Sequence, residues 1–213
     1  MKYRKAYFGV AAIAVFLALA AASRIMFFDG ELRRNESTNL AIYRVDLGGN
    51  SYCVPKAYYR WSNSFNEGEG IGLDLSLDIS SLEAWSLYVE KNGFSEGGER
   101  EVGVKVLDQT LASRQKRWSQ LLKASPRATL SNGYYRYEGA GNPLVNLDYY
   151  LIPQDKADFS WVLGCVSGAR CRLESQLDKD IFYELSFDER HVSHLVDLES
   201  RVKFFLEKQI CNK

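Results

Sequence analysis

Between Ile71 and Ser80 the chain alternates without a break, with Ile71, Leu73, Leu75, Leu77 and Ile79 set against Gly72, Asp74, Ser76, Asp78 and Ser80. A period of two sustained over that length is incompatible with a helix and commits the segment to a strand with one apolar and one polar face. Such a strand belongs in an antiparallel sheet that is half buried, with Asp74 and Asp78 on the solvated side. Other segments follow the same pattern. Ala41, Tyr43, Val45 and Leu47 alternate, Gly48-Gly49-Asn50 supplies a turn, and Tyr52 and Val54 resume, which predicts a hairpin whose following Pro55 sits at a strand end. Further strands are expected at Val102–Val106, 128–137, 144–152, 159–166, 171–174 and 181–187, separated by Gly, Asn and Pro clusters.

Helical periodicity is confined to three places in the folded part. Ser80 and Glu83 resemble a capping box for a short helix through Trp85, Tyr88 and Val89 that stops at Asn92-Gly93. Trp118, Leu121 and Leu122 fit a helix over 111–124. From Glu189 to Ile210, capped by Asp188, the residues Leu195, Leu198, Val202, Phe205, Leu206 and Ile210 share a stripe, and Phe204 lies opposite. Runs of strands closed by one packed C-terminal helix predict an α+β fold, mainly antiparallel.

The N-terminus reads differently. Lys2, Arg4 and Lys5 precede an uncharged run from Ala6 to Ser23, and Ile25–Phe28 extend it past Arg24. Eighteen residues make about 27 Å of helix, close to the hydrocarbon thickness of a bilayer. Ala20-Ala21-Ala22 offers an A-x-A cleavage pattern, but the apolar run resumes beyond it, which favours a single transmembrane anchor over a cleaved signal. The expected organisation is an anchor over 1–28, a polar linker over 29–39 and a domain over 40–213. From Ser23 onward there are 24 basic residues against 27 acidic, a formal charge of −3, which argues against nucleic acid as a partner.

The four cysteines fix the compartment. Cys165 and Cys171 bracket a turn-like Val-Ser-Gly-Ala-Arg, a spacing that suits a disulfide between hairpin strands. Cys53 and Cys211 are then paired by elimination. Disulfides persist outside the cytoplasm, so the expected location is the inner membrane, single-pass, with the domain in the periplasm.

Residues able to carry chemistry match their motifs only loosely. His191 and His194 are spaced by three, near Asp188, Glu189 and Asp197, whereas helical zinc pairs favour a spacing of four. Ser113-Arg114-Gln115-Lys116 is an S-x-x-K tetrapeptide without its partner motifs in order, and no G-x-S-x-G occurs. Asp74 and Asp78 lie too far apart along a strand for paired-carboxylate hydrolysis. Gly139-Ala140-Gly141 precedes no helix and reads as a turn. No metal, cofactor or catalytic residue is therefore expected.

Adjacent aromatics stand out instead: Tyr58-Tyr59-Arg60-Trp61, Tyr134-Tyr135-Arg136-Tyr137 and Tyr149-Tyr150. Neighbours on a strand face opposite ways, so each doublet shows one ring to the core and one to the other side. Tyr, Trp and Arg suit protein interfaces, which makes Tyr58, Tyr59, Trp61, Tyr134, Tyr135 and Tyr137 the candidate partner-binding residues. The sequence thus favours a non-catalytic, membrane-anchored periplasmic interaction protein, of the envelope-assembly or toxin-immunity type, that binds a protein partner. The alternative is an envelope hydrolase acting on lipid, peptidoglycan or glycan, with His191 or His194 as base.

Overall fold

The computed structural model describes residues 38–60, 68–69, 72–93, 98–108, 128–131, 133–138, 147–154, 161–178 and 181–211. The chain divides into two units, Met1–Arg34 and Asn35–Lys213, and the described residues belong to the second. The anchor, most of the linker, Ile71, Trp61, the 111–124 helix with its S-x-x-K tetrapeptide, and Gly139–Gly141 lie outside the described residues. No helix among the described residues is long and apolar enough to cross a membrane.

The strands are β1 Ile42–Leu47, β2 Asn50–Pro55, β3 Gly68–Glu69, β4 Gly72–Asp78, β5 Glu101–Asp108, β6 Ala128–Thr129, β7 Tyr134–Glu138, β8 Tyr149–Pro153, β9 Trp161–Cys165, β10 Arg170–Asp178 and β11 Ile181–Asp188. The helices are α1 Trp85–Asn92 and α2 Leu195–Lys208. Strands β4 to β11 form one antiparallel sheet in the order β4-β5-β11-β10-β9-β8-β7-β6, and β2-β1-β3 form a smaller sheet in which β3 runs parallel to β1. This is α+β with a largely antiparallel sheet and one long C-terminal helix, as expected.

Local chemistry explains the elements. The β1–β2 hairpin turns on Gly48 and Gly49, with φ of 56° and 80°. Two successive left-handed residues are what a two-residue hairpin turn with the right twist requires, and glycine adopts them without a Cβ clash. Val45, Leu47, Tyr52 and Val54 from this hairpin join Leu73, Leu75, Leu77, Val102, Val104, Val106, Leu173, Tyr183, Leu185 and Phe187 of the large sheet in one core. Leu195, Leu198, Val202 and Leu206 of α2 complete it, so the small sheet and the helix both bury their apolar sides against the large sheet. Polar bonds fix α2 as well. Glu199 Oε1 accepts from Ser175 Oγ at 2.9 Å and from Tyr183 Oη at 2.5 Å. The resulting burial beside a carboxylate pushes the Tyr183 phenol well above its usual range.

Three expectations need correction. The second face of the large sheet is solvated only in part: Lys105 and Arg172 are exposed there, but Ser76, Asp78, Glu101 and Glu174 are buried, and Tyr137, Tyr150, Ile152, Val162 and Phe182 form a second apolar cluster. The capping box does not form, because α1 begins at Trp85 after Ala84 with no side-chain cap. Asp78 takes the backbone N–H groups of Ser80 and Ser81 instead, at 3.2 and 2.9 Å. The last helical segment opens as a 3-10 turn over Glu189–His194 before α2 begins, although Asp188 does accept a bond from the Arg190 N–H.

Candidate functional site

Where the aromatic doublets fall depends on strand phase. Tyr58 closes a 3-10 turn, Lys56–Tyr58, and its ring lies 5.3 Å from that of Phe205. Tyr59 bridges to Leu75 and is 1% exposed, and Tyr137 is 4% exposed within the second cluster. Neither can offer a ring to a partner in this fold, which corrects the reading of both as contact residues. Tyr59 belongs to the main core, and Tyr137 to the apolar cluster of the second face, so being turned away from the main core does not mean being exposed. Tyr149 and Tyr150 do point to opposite faces, one in each cluster, and both are buried. Trp61 lies outside the described residues.

Tyr134 and Tyr135 remain half-buried. Tyr134 pairs with Pro153 in register, and its ring meets Trp161 edge-on at 5.2 Å. On the same face Arg136 lies 4.1 Å over the Tyr149 ring and 3.6 Å from Glu138. The β7–β9 wing of the large sheet therefore carries a partly accessible aromatic and guanidinium surface built from Tyr134, Arg136 and Trp161. Sequence alone does not single out Trp161, because it is separated from the tyrosine cluster by an entire strand. Only the β7-β8-β9 order brings it near.

The wing is held rigidly from below. The Tyr149 hydroxyl donates to Glu189 Oε1 at 2.6 Å, and Glu189 Oε2 accepts from the Gly168 N–H at 2.5 Å. Burial and the adjacent Glu189 carboxylate together raise the Tyr149 phenol far above its usual range, so it stays a donor. Asp148 accepts from the Ser167 N–H at 2.7 Å, and the Cys165–Cys171 disulfide crosses the paired residues of β9 and β10. A second disulfide joins Cys53 to Cys211, where Cys53 N–H also donates to Gln209 and Cys211 N–H to Ser51. All four cysteines are bonded, so none is available as a nucleophile.

The histidines are not assembled for chemistry among the described residues. His191 Nε2 lies 2.9 Å from the Glu99 carbonyl, and His194 is exposed. Asp188, near His191, is engaged by Arg190 at 2.8 Å, and that bond holds its carboxyl down at about 2. No group of three or more His, Cys, Asp or Glu among the described residues is placed to hold a metal ion.

Polar groups do converge on the second face near β4 and β5, in a structural network. Ser76 Oγ donates to Glu101 Oε1 at 2.6 Å, with Arg60 Nε 3.8 Å from the same oxygen. Arg170 donates to Ser186 Oγ at 3.2 Å and to the Ser186 carbonyl at 2.8 Å. Gly103 leaves the room Arg60 needs, since a Cβ there would lie 3.0 Å from its guanidinium. Opposite charges and hydroxyls satisfy one another here, as buried charge requires.

No protein-family model matches the sequence, and no curated protein matches it. Among solved structures, the fold is similar to an immunity protein of the Stenotrophomonas maltophilia type IV secretion system, with 11% identity, a TM-score of 0.57, and coverage of 81% of this chain and 94% of that one. It also aligns with the Neisseria meningitidis iron-regulated outer membrane lipoprotein FrpD at 9% identity and a TM-score of 0.45, over 84% of this chain and 98% of that one.

Proposed function

We propose that this protein is an exported, non-catalytic binding protein of the immunity type. In this reading residues 1–28 hold it in the inner membrane, and the domain works in the periplasm by capturing a toxic protein partner. The observation that carries the reading is the likeness to an immunity protein over 94% of that protein's length, at the level of fold. Two disulfides within the domain support an oxidising compartment. The partner surface we favour is the β7–β9 wing, where Tyr134, Trp161 and Arg136 offer aromatic area and a guanidinium on a rigid support. Tyr135 and Tyr58 are half-buried, packed on the second cluster and on Phe205 respectively, while Tyr59 and Tyr137 support the fold. No observation among the described residues favours the hydrolase alternative, because the two histidines meet no nucleophile there.

The test is site-specific photo-crosslinking in cells, with the photoreactive residue placed at Tyr134 or at Phe187 as a buried control. A defined adduct with an exported protein at Tyr134 and none at Phe187 is the expected result. Absence of any protein adduct at Tyr134, and at Trp161 when the photoreactive residue is placed there in turn, would remove the wing as the binding surface.

A further inference from the structure

The turn between β9 and β10, residues 166–169, is exposed at Ser167, Gly168 and Ala169, yet it is fixed from several directions at once. Cys165 and Cys171 close it covalently at its base. Gly168, at φ of 70°, supplies the left-handed residue the turn needs. All four backbone N–H groups are taken: Val166 donates to the Arg170 carbonyl and Ala169 to that of Val166, both at 3.0 Å, while Ser167 and Gly168 donate to the carboxylates of Asp148 and Glu189. The Ala169 carbonyl in turn accepts from the Glu189 N–H at 3.0 Å. A hairpin turn holds its shape with a glycine alone, so a covalent closure and two carboxylates brought in from other elements are more order than the turn itself requires.

What the turn shows to solvent is one-sided. Its backbone donors are spent, whereas the Ser167 and Gly168 carbonyls accept no bond among the described residues. Asp148 and Glu189, which hold it, add two negative charges, and neither meets a cation among the described residues. Arg136 is taken by Glu138, and Arg190 by Asp188 and Glu99. Arg170 and Arg172 alternate with the core residues Cys171 and Leu173, so they turn to the second face, where Arg170 bonds Ser186. The side chains of Ser167, Gly168 and Ala169 are small enough for a narrow cleft to close on the backbone itself.

We infer that the 166–169 turn is the element this protein inserts into its partner, and that the receiving site is a cleft of that protein lined with Lys and Arg side chains. The inference rests on the proposed capture of a protein partner and names the chemistry of the surface that is captured. Carbonyls and carboxylates facing outward, with every backbone donor already used, are complemented by charged donors. The turn is also continuous with the β7–β9 wing. Glu189 Oε1 takes the Tyr149 hydroxyl while its Oε2 takes the Gly168 N–H, so one carboxylate joins the turn to the strand whose Tyr149 ring lies under Arg136. Trp161 and Cys165 mark opposite ends of β9, about 13 Å apart, so one partner spans both ends and each end is tested separately. A turn ordered in advance loses little conformational freedom on insertion, which is the advantage that bracing gives a binding loop.

The full chain is expressed in cells with p-benzoylphenylalanine at Ala169 or at Tyr134, and adducts are mapped to peptides of the captured protein by mass spectrometry. Adducts with the same exported protein are expected at both positions, the Ala169 adduct on a peptide that borders a cleft and carries Lys or Arg. With that protein purified, Ala169→Trp should weaken binding at least about tenfold, as obstruction of a central contact does, with the unfolding midpoint unchanged because Ala169 is exposed. Asp148→Asn keeps an oxygen for the Ser167 N–H and loses only the charge, so affinity should fall about fivefold at low ionic strength and by less at high. A Tyr134 adduct without one at Ala169, an Ala169 adduct on a surface lacking Lys and Arg, or an Ala169→Trp or Asp148→Asn protein that binds like the parent would each overturn the inference and leave the captured partner standing. An adduct at Ala169 alone would keep the inference and move the rest of the interface off the wing. Adducts at neither position would overturn the capture of a partner, and this inference with it.

Discussion

Asp78, with no solvent exposure, receives both Nε and Nη2 of Arg100, at 3.0 and 3.2 Å, and so ties the end of β4 to the segment that leads into β5. The same carboxylate accepts from Ser81 Oγ at 2.8 Å and from two backbone N–H groups, which shapes the turn before α1. Leu82 there adopts φ of 57° and still packs on the core. Burial alone would raise the Asp78 pKa, yet the Arg100 and Ser81 bonds outweigh it and the net shift is downward. Asp78→Ala removes the one buried acceptor shared by Arg100, Ser80 and Ser81 and should cost about 1 to 3 kcal/mol in chemical unfolding. Arg100→Lys should cost less, because Arg100 is partly exposed and Lys retains the charge.

Acid should weaken the domain in a defined window. Asp188 is held at about 2 by its bond to Arg190, and Asp78 is also lowered, so both carboxyls bind protons less readily folded than unfolded. Their stabilisation is complete above about pH 4 and is lost as pH falls through the folded-state values toward about 2. Thermal unfolding measured from pH 7 down to 2 should show this loss, with a shallower fall below pH 4 in Asp188→Asn. An equally steep fall in that variant would assign the acid sensitivity elsewhere.

The strands were legible because their signal is local. Alternation from Leu73 to Ile79 identifies the core face of β4 correctly, and the stripe from Leu195 to Leu206 identifies that of α2. The second face was not legible, since Ser76 and Asp78 read as solvated until Glu101 and Arg100 are placed against them by tertiary contacts, with Arg60 and Arg170 beside Glu101. Gly164 makes the same point: a Cβ there would come within 2.6 Å of Leu147 Cδ1, a packing constraint that no local pattern carries. The candidate site was legible in part. The tyrosine doublets at 134–135 and 149–150 fall on β7 and β8, but which ring stays accessible depends on what covers each face, and that is a property of the whole sheet.

The two disulfides should differ in reactivity. Cys165 and Cys171 are buried, whereas Cys53 and Cys211 are partly exposed. Thiol–disulfide exchange needs direct access of a thiolate to sulfur, so mild reductant under native conditions should open Cys53–Cys211 first. Timed alkylation and peptide mapping checks the order. Cys53→Ala with Cys211→Ala, which frees the end of α2 from β2, should cost about 2 to 5 kcal/mol.

Tyrosine substitutions should separate fold from binding. Tyr59→Ala removes a fully buried ring whose hydroxyl is already pushed up to about 12 by burial, and should destabilise by about 3 to 5 kcal/mol. Tyr134→Ala should leave stability within about 1 kcal/mol and weaken partner binding by 1 kcal/mol or more, as roughly expected of a central interface ring. Unfolding and partner affinity measured on both variants decide the matter. A Tyr134→Ala protein that binds like the parent would move the interface off the β7–β9 wing.

The central claim is protection by capture in the periplasm, and contact-dependent competition tests it most directly. Cells that lack the protein are grown in contact with otherwise identical cells that retain it, and survival is compared with growth of the same pair kept apart. The account predicts loss of the deficient cells on contact alone. Survival should be restored by the full chain but not by a form without residues 1–28 that stays in the cytoplasm. Equal survival of the deficient cells with and without contact would contradict the account.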